Sequence, residues 1–246
     1  MKFDKDNDLL IIPDVHGRTF WREALEQKKY SHVIFLGDYV DPYPQEKIDN
    51  YEAFEILVEI VKYAKQHRDT CTLLLGNHDM HYMSPAFAKK ARGSRFSFMM
   101  EDELNCVFCE NEDLFSLAFE ADYEQWHCLI THAGVNRQWY EAHKDVIGEL
   151  NAENLNKLHQ SKDGIDALTD IGCLRGGFSK TGSMLWADFF EVAGDGDFPG
   201  IFQIFGHTQD YEHTVRIKGH AACVDCHRAL LLSEVLEMAA KEQKKE

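Results

Sequence analysis

Three short clusters each set acids or a histidine beside a glycine: Pro13-Asp14-Val15-His16-Gly17, Gly37-Asp38-Tyr39-Val40-Asp41 and Gly76-Asn77-His78-Asp79. Two later segments repeat the arrangement with His132, in Leu129-Ile130-Thr131-His132-Ala133-Gly134, and His207, in Ile204-Phe205-Gly206-His207-Thr208. Carboxylate oxygen, imidazole nitrogen and amide oxygen in one set suit Mn, Fe or Zn rather than a thiolate-bound metal. The donors outnumber what one ion needs, which points to two divalent ions about 3.5–4 Å apart sharing a bridging carboxylate. Chemistry of that kind activates water for hydrolysis.

Such a site needs a scaffold that brings distant clusters together. Residues 9–12, 32–36 and 71–75 are short apolar runs, and each runs into one of the first three clusters. Between them, residues 19–29 read as a helix. Asp49 opens a second one, with Glu52 three residues on as a capping-box partner and Phe54, Leu57, Val61 and Ala64 at helical spacing. The β-α-β-α-β order predicts a parallel sheet, an α/β fold whose strands share one carboxyl edge where ligands bind. Further on, residues 80–125 read as helices and loops above the sheet, and 126–131 as a strand. Residues 139–162 read as one or two helices and the Gly-rich 172–182 as a loop. Residues 201–205, 213–217, 221–226 and 229–233 read as closing strands. The reading gives a single domain over residues 1–240 and a charged, frayed tail at 241–246.

Composition narrows the partners. Lys and Arg total 26 against 42 Asp and Glu, a formal charge of −16, which argues against a nucleic-acid binder that must neutralise phosphates. A small phosphorylated substrate stays open, because one local cationic site overrides the average field. The seven cysteines are odd in number and scattered, so no disulfide framework is expected. No apolar run approaches the roughly 20 residues of a membrane helix, and the polar start lacks a signal-peptide core. The expected setting is cytoplasmic, with no membrane partner.

The series D-x-H-G, G-D-x-x-D, G-N-H-D, T-H-A-G and G-H-T, in order over residues 14–208, resembles the calcineurin-like metallophosphoesterases. Its G-D-Y-V-D and G-H-T forms look most like the serine/threonine phosphoprotein phosphatase branch, with its bacterial and diadenosine-tetraphosphatase relatives. The resemblance implies a four-layer α/β/β/α sandwich holding two divalent metals, Mn ahead of Fe or Zn. It implies that Asp14 and His16 bind the first metal, that Asp38 bridges, and that Asn77, His132 and His207 bind the second, Asn77 also bordering the substrate phosphate. It implies His78 as general acid, oriented by Asp41, and a metal-bridging hydroxide attacking phosphorus in line. The implied activity is hydrolysis of phosphate monoesters on a phosphorylated protein or small ester. The alternatives are a dinucleoside polyphosphate or small-nucleotide hydrolase, a nuclease or phosphodiesterase disfavoured by the charge, and a metal-bound scaffold without catalysis.

Two departures stand out. Many relatives end in G-H-x-H, and here Gln209 replaces the second His, as in the phosphoprotein-phosphatase branch. That branch also carries a phosphate-gripping Arg directly after G-D-x-x-D, where this chain has Pro42. Arg175, ahead of the Leu185-Trp186-Ala187-Asp188 segment, is the first candidate to replace it and Arg18 the second, since a guanidinium can grip two phosphate oxygens at once. His81 is expected to pack near the site without binding metal, and His213, His220 and His227 to be ordinary strand or loop histidines. Cys223-Val224-Asp225-Cys226-His227 matches a haem-attachment pattern but sits where a strand with a central Asp is expected.

Overall fold

The computed structural model describes residues 1–194, 196–210 and 212–244. Its strands are β1 (Lys2–Phe3), β2 (Leu9–Ile12), β3 (His32–Phe35), β4 (Cys71–Leu74), β5 (Phe115–Ser116), β6 (Ala118–Tyr123), β7 (Trp126–Thr131), β8 (Phe202–Phe205), β9 (Arg216–Lys218), β10 (Ala221–Cys223) and β11 (Leu230–Leu231). Its helices are α1 (Phe20–Gln27), α2 (Asn50–Gln66), α3 (Asn77–Met83), α4 (Pro85–Ala91), α5 (Glu101–Glu110), α6 (Arg137–Ile147), α7 (Ala152–Asn156), α8 (Lys162–Leu168), α9 (Phe189–Gly194) and α10 (Leu232–Gln243). The strands form two mixed sheets, ordered β11-β2-β3-β4-β5 and β1-β6-β7-β8-β10-β9.

Alternation along the strands explains the layering. Leu9, Ile11, Ile34, Leu36 and Leu74 pack against Cys128, Ile130, Phe202 and Ile204 of the other sheet. Their neighbours Leu10, Ile12, Val33, Phe35 and Leu73 point the other way, onto Trp21 of α1 and Leu57, Ile60 and Val61 of α2. Strands buried on both faces read as continuous apolar runs, as these do. Burying one Leu or Ile such as Leu57 or Ile60 contributes about 1.5–3 kcal/mol. Over the second sheet's outer face lie Phe189 and Val192 of α9, against Phe205 and Ala221. The α/β/β/α sandwich is therefore present.

Helix α2 starts where expected. Asp49 accepts from the Glu52 N–H at 2.8 Å, and Glu52 accepts from the Asp49 N–H at 2.9 Å. Such a cap is worth about 1 kcal/mol.

Four expectations change. Residues 80–125 contain β5 and β6 as well as helices, and β6 pairs antiparallel with β7 from Ala118↔Thr131 to Tyr123↔Trp126. The strand expected at 213–217 begins only at Arg216. The strand expected at 229–233 stops at Leu231, because Leu232, Val235, Leu236 and Ala239 form the buried face of α10. That helix runs to Gln243, so the first part of the expected tail is its last turn, while residues 245–246 lie outside the described residues. Among the described residues no helix is long and apolar enough to cross a membrane.

Strand direction positions the clusters. β2, β3 and β4 are parallel, as are β7 and β8. Their carboxyl ends meet at the seam between the sheets, tied within each sheet by Val15 N–H to Asp38 C=O at 3.1 Å and Gly206 N–H to His132 C=O at 2.8 Å, and across the seam by the His207 N–H to Asp14 at 3.0 Å. Gly37 and Gly76 face each other there. A Cβ on Gly37 would lie 2.3 Å from the Gly76 nitrogen, and one on Gly76 would lie 2.1 Å from Asp38 Oδ1. Only glycine permits that approach at both positions.

Candidate metal centre

Each strand exit turns abruptly as it leaves its sheet. His16, Asp38, Asp41 and His207 all have φ between 46° and 64°, a left-handed region that non-glycine residues adopt at a cost. The strain is held by hydrogen bonds. Asp79, fully buried, accepts from the N–H groups of Gly76 at 2.7 Å, Asp38 at 2.7 Å and Tyr39 at 3.0 Å, tying the β3 exit to the start of α3. Burial pushes the Asp79 carboxyl up to about 8, with the charge of Asp38 adding to the shift and the backbone donors opposing it.

Six sequence-singled donors converge at the seam. The Oδ and ring nitrogen atoms of Asp14, Asp38, His132 and His207 include a set lying within 4.8 Å of one another. Asp38 stands between two rings, with Oδ2 3.4 Å from His16 Nε2 and Oδ1 3.6 Å from His132 Nε2. The His78 backbone N–H donates to Asp38 Oδ1 at 2.9 Å, and the His207 backbone N–H donates to Asp14 at 3.0 and 3.2 Å.

The ring tautomers follow from their outer contacts. His16 Nδ1–H donates to Val40 C=O, and His132 Nδ1–H donates to Leu36 C=O, both at 2.8 Å. Each ring therefore presents an Nε2 lone pair to the centre, the arrangement of a metal-ligating histidine with its other nitrogen anchored. Burial holds His16 and His207 well below the ordinary imidazole range, helped by the Arg95 charge for His16 and the Arg175 charge for His207. Both rings are neutral, as ligands must be.

His132 Nε2 lies 3.1 Å from Asn77 Oδ1 and 3.0 Å from His207 Nδ1. Because Nδ1 of His132 carries its proton, Nε2 faces these atoms as an acceptor. The lone pairs of His132 Nε2 and Asn77 Oδ1 thus face each other at 3.1 Å in a buried site, an arrangement that a positive charge beside them relieves. The donor set thus fits a divalent cation.

A second buried group adjoins the first. Asp41 Oδ2 lies 2.7 Å from His78 Nδ1 and 2.8 Å from His81 Nε2, and Oδ1 accepts from the Tyr82 hydroxyl at 2.5 Å. Burial would raise the Asp41 carboxyl, but the hydrogen bonds from His78 and His81 hold it down at about 2. Burial pushes His78 down to about 4 against the pull of Asp41, with Arg95 adding to the fall. The resting ring is neutral, its proton on Nδ1. His81 lies beside Asp41 and accepts from the Gly93 N–H at 3.2 Å, so it packs next to the centre, and ligand atoms of Asp41, His78 and His81 lie within 4.8 Å of one another.

The two arginines singled out from sequence are engaged with protein. Arg18 pairs with Glu46 at 3.0 Å and donates to Asp14 C=O at 3.0 Å. Arg175 lies 3.2 Å from Asp188 and donates to the Thr208 hydroxyl and to His207 C=O. The guanidinium that faces the centre is one the sequence reading passed over. Arg95, in the loop between α4 and α5, puts Nη2 3.0 Å from His78 Nε2 and 3.5 Å from His16 Nε2. Its Nη1 donates to Asp41 C=O at 2.7 Å, and its plane lies 3.7 Å from the Tyr43 ring centroid. Only its position after Gly93, at the edge of an aromatic-rich stretch, could have flagged it.

Among the remaining histidines, His213 stacks on His227 at 3.9 Å and His220 pairs with Asp197 at 2.8 Å, and none of the three belongs to the converging set. A cavity of about 820 Å3 between the start of α1 and the start of α2 is lined by Gly17, Arg18, Phe20, Ile48, Tyr51 and His227 among others; Gly17 and Arg18, next to His16 in the chain, are its link to the centre, and none of the six donors lines it.

Residues 8–211 match the sequence model of a family described as calcineurin-like phosphoesterase. Among solved structures, a protein serine/threonine phosphatase from Saccharomyces cerevisiae, described as similar to human phosphatase PP5, superposes with a TM-score of 0.54. It is 14% identical, over 91% of this chain and 70% of that one, a likeness of fold. No curated protein sequence matches the chain.

Proposed function

The chain belongs to the calcineurin-like phosphoesterases, metal-dependent hydrolases of phosphoesters, and on that premise we propose that it hydrolyses phosphate monoesters at a binuclear divalent-metal centre. The observation that carries this is the buried convergence of donor atoms from Asp14, Asp38, His132 and His207 within 4.8 Å of one another, with His16 Nε2 3.4 Å from Asp38 and Asn77 Oδ1 3.1 Å from His132 Nε2. Asp14 and His16 would hold one ion, Asn77, His132 and His207 the other, and Asp38 both, since its two oxygens face the two sides. Mn is the first metal to try, Fe and Zn the others, because these ligands accept all three. Bound ions lower the pKa of coordinated water and offset phosphoryl charge.

The protein's own groups do the rest. Arg95, pinned by Asp41 C=O and Tyr43, would turn Nη2 from His78 to a phosphoryl oxygen and fix the ester's orientation. His78, held through Nδ1 by Asp41, would carry at Nε2 the proton for the leaving oxygen. With Arg95 drawn to the phosphate, that nitrogen is released from its contact.

The decisive experiment offers p-nitrophenyl phosphate, its bis ester, a phosphoserine peptide and diadenosine tetraphosphate to protein loaded with Mn2+. The proposal expects monoester turnover that is abolished by a chelator and restored by Mn2+. Turnover of the bis ester alone, or of nothing by fully loaded protein, overturns it. A second reading, hydrolysis of a small nucleotide, is favoured by one observation, the 820 Å3 cavity with Phe20 and Tyr51 on its walls. Preference for diadenosine tetraphosphate over the phosphopeptide would select it.

Arg95→Ala should lower kcat/KM for the monoester by about 10²-fold, the scale of one lost transition-state donor. Arg95→Lys should recover part of that loss, because a point charge replaces a fork. Steady-state kinetics indistinguishable from wild type would place the phosphate clamp elsewhere.

A further inference from the structure

The most exceptional polar group outside the donors described is Asp225. It is 1% exposed, and neither carboxylate oxygen has a hydrogen-bond partner. Leaving such a group unpaired costs several kcal/mol at least, so its position calls for a reason.

Strand register says where it stands. β10 runs parallel to β8 with Ala221 opposite Gln203 and Cys223 opposite Phe205. Continuing that register sets Asp225 level with His207. The chain stays in contact past the strand, with Val224 N–H donating to Phe205 C=O at 2.7 Å and Cys223 Sγ–H to Gly206 C=O at 3.2 Å. Asp225 is thus one more strand exit at the carboxyl edge that delivers the other donors. The charges it feels most are those of Asp14, Arg18, Asp38 and Arg175. Both arginines are engaged elsewhere, with Glu46 and Asp188. The Asp225 oxygens are outside the set of Asp14, Asp38, His132 and His207 atoms within 4.8 Å of one another. Asp225 is therefore not itself one of the converging donors. Gln209, the neighbouring side chain that sequence reasoning weighed for this side, offers an amide whose nitrogen also has no partner.

We propose that Asp225 is an outer-sphere carboxylate of the metal centre, accepting a hydrogen bond from water held by the ion on the Asp14 and His16 side. This rests on the binuclear reading above. Two divalent ions more than offset Asp14 and Asp38, so a further carboxylate that repels its neighbours in the metal-free protein is compensated in the loaded one. The water it holds satisfies an oxygen that protein groups leave bare.

The test is Asp225→Asn, an isosteric change, compared with wild type by Mn2+ titration calorimetry, by metal content after dialysis and by melting with and without Mn2+. The expected result is one ion bound as in wild type and the other weakened about 10–100-fold, the usual cost of losing an outer-shell partner. The metal-free variant should melt no lower than metal-free wild type, because the carboxyl it replaces has no hydrogen-bond partner there. Two ions bound with unchanged affinities would overturn the inference while leaving the binuclear reading intact. A lower melting temperature without metal would make Asp225 a structural residue and overturn it equally. If wild type itself takes up no Mn2+, the binuclear reading fails first.

Discussion

Asp38→Asn should leave a folded protein that no longer retains its metal ions and has lost about 10³-fold or more of its turnover. The magnitude follows from the several kcal/mol that bound metal supplies to such a transition state, at about 1.4 kcal/mol per tenfold. Folding should survive for three reasons. The new side chain has the same shape, asparagine tolerates the left-handed backbone that Asp38 adopts at φ 51°, and its amide oxygen can still accept from the His78 N–H. What disappears is the charge facing His16 on one side and His132 on the other. Burial, with Asp14 beside it, holds the Asp38 carboxyl well above the usual carboxylate range in the metal-free protein. A carboxyl raised in this way is protonated in the folded state over a range where the unfolded chain has already ionised. The folded state then binds more protons, and stability falls as pH rises from the unfolded value towards the folded one. Metal-free Asp38→Asn should therefore melt at or above metal-free wild type near neutral pH, with a flatter dependence on pH, and should lose the rise in melting temperature that Mn2+ gives wild type. Metal analysis and melting curves read both effects. Retention of two ions with wild-type turnover would remove Asp38 from the centre of the proposal.

The clusters that suggested this site were legible because of where they fall. Leu9–Ile12, His32–Phe35 and Cys71–Leu74 are short apolar runs bounded by turn residues, so a buried parallel sheet was readable and its carboxyl edge with it. The Asp49 and Glu52 cap likewise declares itself locally. Elements held by their partners did not. β1 and β5 are two residues each, too short for any period, and β6 mixes Glu120 and Asp122 into a strand carried by its pairing with β7. Helix α10 did carry a signal, Leu232, Val235, Leu236 and Ala239 at helical spacing, but Leu230 and Leu231 just before it extend the apolar run and mimic a strand. Arg95 belongs to another class. It reaches the centre through a loop whose course is set by Gly93 on His81 and by Ser97 on Tyr82, contacts that no spacing rule encodes. The strand around Asp225, with that acid at its centre, was readable, but only the pairing of β10 with β8 shows which strand exit the acid shares.

His78→Ala tests the other half of the chemistry, because its effect should depend on the leaving group rather than on the metal. The His78 side chain meets Asp41 through Nδ1 and Arg95 through Nε2. Its link to Asp38 runs through the backbone N–H, which alanine keeps. Metal content should accordingly stay at the wild-type level. Loss of an acid of this kind costs about 10²–10⁴-fold. That full loss should appear with phosphoserine or another alkyl ester, whose leaving alkoxide cannot depart without a proton. With p-nitrophenyl phosphate it should shrink, because nitrophenolate leaves unassisted at neutral pH. Resting His78 is neutral, with burial and Arg95 outweighing Asp41. The phosphoryl anion reverses two of these influences, drawing away the Arg95 guanidinium and placing negative charge beside Nε2. Both changes favour a proton at that atom in the substrate complex, where it is needed. Asp41→Asn, which keeps the shape but exchanges the anion that steadies Nδ1–H, should reproduce the same leaving-group pattern at smaller amplitude. Equal losses for the alkyl and nitrophenyl esters would mean that His78 positions Arg95 instead of delivering a proton, and loss of metal with His78→Ala would mean that it supports the centre itself.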